Sequence, residues 1–150
     1  MTGRLLSGLL LGLLMFTLPA QAQQYEQVGN HQIHYSAVNT SFLPPEVARD
    51  YGIPRNQVTG LLNVSVLEVQ EDGSTRPVAA RVDGEVGGLG TTTQATPLAF
   101  RTLRDGDSVS QIATFRIRAD EPMRFDLEVA YDRNAPPAKV SFIQRFYIDR

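Results

Sequence analysis

Residues 123–131, Met-Arg-Phe-Asp-Leu-Glu-Val-Ala-Tyr, alternate apolar and polar side chains with a period of two. Successive side chains of a strand point to opposite faces, so Met123, Phe125, Leu127, Val129 and Tyr131 form one face and Arg124, Asp126 and Glu128 the other. One such face belongs in a core and the other in water, the condition of an antiparallel sheet. The run before it follows the same rule: Ala113, Phe115 and Ile117 lie opposite Thr114, Arg116 and Arg118. Only Ala119-Asp120-Glu121-Pro122 separates the two runs, which predicts a β-hairpin. Pairing Phe115 with Leu127 sets Arg116 against Asp126, an opposite-charge pair. A shift of two would set Arg116 against Arg124, which is unfavourable.

Further strands are expected over 31–38, 61–69, 77–82, 96–103 and 139–148. Glu71-Asp72-Gly73, Asp105-Gly106-Asp107 and Asn134-Ala135-Pro136-Pro137 supply the turns. The predicted fold is an all-β, antiparallel immunoglobulin-like β-sandwich of about seven strands with one short helix, residues 45–51. The Cys and Trp hallmarks of true immunoglobulin domains are absent. The last run carries apolar residues on both sides, Val140, Phe142, Phe146 and Ile148 against Ile143 and Tyr147. It is therefore expected inside a sheet or under the helix, with Gln144 needing a hydrogen-bond partner if buried.

The helix is read from Pro44 and Pro45 at its first turn, Glu46 near its positive end, and Gly52 followed by Pro54 at its close. At under three turns it cannot stand alone. Val47 and Tyr51, four apart, are its expected docking face, over an open end of the sandwich.

Residues 1–22 are set apart from this fold. Arg4 precedes an apolar run, Leu5–Leu18, and Pro19 precedes Ala20-Gln21-Ala22, the order of a cleaved secretory signal peptide. The run is shorter than the about 20 residues of a membrane span. No cysteine follows it, so a lipoprotein-type anchor is excluded. The remaining 23–150 suit a single β-sandwich domain, expected in the periplasm with no membrane span after cleavage. It has no disulfide to lean on. Without Arg4 it holds 13 basic against 16 acidic residues, scattered without a like-charge run. Nucleic acid is thereby excluded as a partner class, since phosphate binding wants a basic patch.

Catalytic signals are sparse. His31 and His34 are three apart in a strand and point to opposite faces, a poor metal pair. No Gly-x-Ser-x-Gly elbow and no cysteine nucleophile is present. Gly84-Glu85-Val86-Gly87-Gly88-Leu89-Gly90 does not match a phosphate-binding glycine pattern and is read as a bulge or wide loop. Asp105-Gly106-Asp107-Ser108 lacks the later Glu of a calcium loop and is read as a turn. Glu68, Asp126 and Glu128 fall on polar strand faces as ordinary solvated charges. No catalytic residue, metal ligand or cofactor is expected.

Asn39 to Ala48, with its Asn-Thr-x-Phe-Leu-x-Pro-Glu-Val-Ala order, and the closing Phe142, Gln144, Phe146 and Tyr147 resemble an uncharacterised secreted family, domain of unknown function 4426. The resemblance spans essentially the whole of 23–150. It implies a small periplasmic bacterial domain and brings no catalytic residue with it.

Together these features predict a non-enzymatic binding or accessory module of the bacterial envelope, acting on an envelope protein or a small ligand. Asn39, Thr40, Ser41 and Glu46 at the helix, with Gly87, Gly88 and Gly90 of the glycine stretch, form the candidate binding surface at one end of the sandwich. The polar three are read first as capping and turn hydrogen-bond partners, ahead of a binding role. Two alternatives remain: an assembly subunit or chaperone-like protein acting by β-strand addition through its terminal strand, and a hydrolase, which requires convergent polar side chains in a concave site.

Overall fold

The computed structural model describes residues 24–89 and 94–148. The expected signal peptide, residues 1–22, and Gly90 lie outside them. Ten strands form two antiparallel sheets: β1 (Gln24–Val28), β2 (His31–Asn39), β3 (Thr59–Val69), β4 (Thr75–Val78), β5 (Arg81–Gly88), β6 (Thr96–Pro97), β7 (Arg101–Asp105), β8 (Ser108–Arg116), β9 (Pro122–Ala130) and β10 (Ala138–Arg145). The larger sheet runs β1-β2-β3-β8-β7 with β4 also on β3, and the smaller runs β10-β9-β5-β6. β8 pairs along the first half of β3, up to Val64, and β4 along the second, from Val66. Among the described residues no helix is long and apolar enough to cross a membrane.

The alternation does what it predicts. Ile33, Tyr35 and Ala37 of β2, Ala113 and Phe115 of β8, and Met123, Phe125, Leu127 and Val129 of β9 are all buried in one inter-sheet core. Aromatic rings cross it in sequence: Tyr35 stacks on Phe142, Phe142 on Phe125, and Phe125 meets Phe115 edge-on at 5.0 Å. Each large side chain withdrawn from water contributes about 1.5–3 kcal/mol. Gly60 sits opposite Phe115 in the β3–β8 ladder, and the aromatic ring occupies the space a Cβ would need.

The expected strand pairings are corrected. β8 and β9 are not a hairpin: β8 pairs with β3 and β7, and β9 with β5 and β10. Their connection crosses between sheets, with Asp120 at φ 62° and Ala119 bridged to Phe146. The two apolar rows thus face each other across the core instead of lying side by side, and Arg116 pairs with Thr59, not Asp126. The runs at 77–82 and 96–103 divide for the same reason, β4 and β7 belonging to one sheet and β5 and β6 to the other.

The terminal strand β10 is an edge strand of the smaller sheet, not an interior one. Val140 and Phe146 are buried, whereas Ile143 and Tyr147 are 57% and 69% exposed. Gln144 finds its partner in the facing sheet, donating from Nε2 to the Ala37 carbonyl at 2.8 Å.

Helix α1 (Pro45–Asp50) follows a short 3-10 turn (Thr40–Phe42) and ends at Tyr51, with Gly52 at φ +65°. Such a φ suits glycine at C′. The helix docks through Ala48, which is buried, while Val47 is exposed. Ala48, Ile53, Leu61 and Ile112 make a second small core, with Tyr51 at its margin. Leu61 alternates with the inward Leu62, so α1 covers the outer face of the larger sheet and does not plug an end of the sandwich.

Candidate functional site

The residues of the candidate surface separate. Asn39 and Thr40 are buried, and their polar atoms are committed locally. Asn39 Nδ2 donates to the Gln57 carbonyl at 2.9 Å, and its Oδ1 accepts from Ser41 N and Oγ at 2.9 and 2.7 Å. Thr40 Oγ1 donates to the Asn56 carbonyl and accepts from Asn56 N, at 3.0 and 3.1 Å. These bonds fasten the turn before α1 to the segment after it. Glu46 is exposed on α1, over the larger sheet. Gly87 and Gly88 are not in a loop: they complete β5 of the smaller sheet, opposite Arg124 and Met123.

The two histidines do lie on opposite faces of β2. His31 is buried, with Nε2 3.6 Å from Glu68 Oε2 and its ring 4.9 Å from that of Tyr131. Glu68 also accepts from Arg76 Nη2 at 2.8 Å and Gln70 Nε2 at 3.0 Å. The Arg76 hydrogen bond, seconded by Gln70, holds its carboxyl below the usual range. This network ties β2, β3 and β4 together. His34 stacks on Tyr25 outside, and burial lowers its pKa.

A different set of residues converges on the outer face of the smaller sheet. β5 and β9 pair so that Asp83 stands directly opposite Glu128, and Glu85 directly opposite Asp126. β10 adds Lys139 opposite Glu128 and Ser141 opposite Asp126. These six side chains line an open groove of about 390 Å³. Opposed Cβ atoms lie about 4.5–5.5 Å apart, and alternate residues of a strand about 7 Å, so the four carboxylates mark the corners of a small rectangle. Directly opposed like charges destabilise a sheet; here two such pairs adjoin.

The compensation is partial. Asp126 accepts from Ser141 Oγ at 2.7 Å and from Arg124 Nε at 3.1 Å, which keep its carboxyl below the ordinary range, Ser141 contributing most. Arg81 Nε lies 3.7 Å from Asp83. Glu85 and Glu128 enter no close ion pair among the described residues. The arrangement can accept several hydrogen bonds from an extended cation. Among the described residues no group of three or more His, Cys, Asp or Glu is placed to hold a metal ion. None of the six groove residues is in the candidate surface read in the sequence, where Asp126 and Glu128 are ordinary solvated charges. The available signal was the Asp-x-Glu pattern, at 83–85 and again at 126–128, within two alternating strands.

No curated protein sequence matches the chain. Among solved structures, a DUF4426 family protein (PA0388) from Pseudomonas aeruginosa PAO1 is 30% identical, with a TM-score of 0.72 over 88% of this chain and all of that one. FetP of uropathogenic Escherichia coli strain F11, recombinantly expressed in the periplasm, is 10% identical, with a TM-score of 0.59 over 86% of this chain and 96% of FetP. The copper-bound E46Q variant of FetP gives 12% identity and a TM-score of 0.57, covering 85% of this chain and 96% of the variant. FetP and this chain share a fold; the sandwich is thus common to both. The sequence pattern of the family described as Domain of unknown function (DUF4426) matches residues 25–149, and the chain belongs to that family.

Proposed function

We propose that the chain is a non-enzymatic binding module of the bacterial envelope that takes an extended organic cation, a polyamine or a lysine-rich segment, on the carboxylate groove. The observation carrying this reading is the pair of adjoining like-charge contacts, Asp83 against Glu128 and Glu85 against Asp126. Like charges set directly opposite each other are unfavourable in a sheet, and a bound cation would relieve that repulsion. Copper, the metal of the FetP variant, finds no matching ligand group among the described residues. The leader pattern of residues 1–22 and the fold shared with FetP support the envelope location.

Calorimetric titration with spermine tests the proposal. Binding should weaken as salt rises, because the groove is open to solvent. Asp83→Asn/Glu85→Gln should weaken it at least tenfold while leaving the melting temperature unchanged or raised. Absence of heat at low salt, or full affinity in the double variant, refutes the reading.

A second reading, assembly by strand addition, is favoured by one observation: β10 is a sheet edge that carries the exposed Ile143 and is followed by the exposed Tyr147. Removing 139–150 would also remove core residues Val140 and Phe146. Ile143→Arg is the cleaner test, expected to abolish co-purification of a stoichiometric partner without unfolding the chain. Unchanged co-purification, or no partner to begin with, counts against strand addition here.

A further inference from the structure

β7 accompanies β8 only from Ser108 to Ile112, so β8 loses that neighbour from Ala113 onward. On the facing sheet, β6 is two residues long and pairs only with Glu85 and Val86. The sandwich therefore opens sideways between these two edges, into a cleft of about 270 Å³. Val86, Leu98, Phe115 and Met123 give it an apolar interior, and Arg116 and Arg118 stand beside it. The intervening Ile117 is buried in the core, whereas both arginines are exposed. Neither arginine is in an ion pair among the described residues.

From this juxtaposition we infer that the cleft is a binding site for a small amphipathic carboxylate, its short acyl tail against Val86, Leu98, Phe115 and Met123 and its carboxylate on Arg116 and Arg118. The charge selects the head group, because arginine and carboxylate form charge-assisted, often bidentate hydrogen bonds. The volume selects the tail. It lies just under the about 300–1,000 Å³ of typical ligand pockets, leaving room for a short chain only. The site is distinct from the carboxylate groove and takes ligands of opposite charge, so either can fail without the other.

The test is a two-dimensional NMR titration of the full chain with sodium octanoate, with octanol as the uncharged control. Saturable shifts are expected at the methyl groups of Val86, Leu98 and Met123. Arg116→Gln/Arg118→Gln should weaken octanoate at least tenfold and leave octanol unaffected. Thr96→Trp, at an exposed position on the cleft wall, should block both ligands without touching the core. Circular dichroism confirms that each variant is folded. Absence of saturable shifts, shifts centred elsewhere, or octanoate bound equally well by the double-arginine variant would overturn the assignment.

Discussion

Gly60→Ala changes one hydrogen to a methyl, yet the structure makes it a severe substitution. The new Cβ would overlap three atoms of the Phe115 ring, the farthest of them, Cε1, at 2.7 Å. The ring cannot swing clear easily. Phe125 meets it edge-on at 5.0 Å and Phe146 at 5.4 Å, and the side chain is buried. Two effects compete. Replacing glycine lowers the entropy of the unfolded chain and favours folding by about 0.4–1 kcal/mol. Overpacking a filled core costs about 1–3 kcal/mol, and displacing Phe115 forfeits two ring contacts of about 0.5–1.5 kcal/mol each. Overpacking wins, with a net loss of about 3 kcal/mol. At about 3–5 °C per kcal/mol for a domain of this size, the melting temperature should fall by about 9–15 °C. Urea denaturation should show a lower midpoint with an unchanged slope. Phe115→Leu in the same chain removes the obstacle, so the double variant should be more stable than additivity predicts by about 1 kcal/mol. A Gly60→Ala protein within about 0.5 kcal/mol of wild type, or an additive cycle, would refute the packing argument.

Asn39→Ala should cost about 1–3 kcal/mol in urea denaturation, because it strips hydrogen bonds from the Gln57 carbonyl and the Ser41 N–H. Spermine affinity should not change, separating the helix anchor from the groove. Acid should destabilise the fold through Glu68, Asp72 and Asp126, whose carboxyls all titrate below their ordinary range. Since their folded pKa values lie below the unfolded ones, their contribution is complete above the unfolded values, near 4, and is lost as pH falls through the folded ones. Melting temperature against pH should accordingly drop below about pH 4, and NMR titration of Ser141→Ala should find the Asp126 pKa raised. A melting temperature that holds steady into that range, or an unmoved Asp126, contradicts these hydrogen bonds.

The inward residues of this sandwich were legible in the sequence, and their partners were not. Period-two alternation states which side chains of a strand face the core, and Ala113, Phe115, Met123, Phe125 and Leu127 obey it. It is silent on which sheet a strand joins. A hairpin of β8 and β9 buries those rows beside each other; a crossing between sheets buries the same rows face to face. The positive φ of Asp120 and the bridge from Ala119 to Phe146 belong to the second solution, and no residue type between 117 and 122 demands it. At the helix, the i, i+4 pair Val47 and Tyr51 outweighed a lone alanine in the sequence. The structure instead uses Ala48, whose small side chain lets the helix sit close on Leu61 and Ile112. The mispaired hairpin also concealed the groove. Set against Arg116, Asp126 is half of an ordinary surface ion pair and invites no question. In its real register it faces Glu85, with Asp83 and Glu128 opposed alongside, an adjacency of like charges that the order of the sequence does not show. The twin Asp-x-Glu patterns lie 43 positions apart in the chain. They come together only when β5 and β9 lie side by side in that register, a consequence of the same sheet crossing that separates β8 from β9.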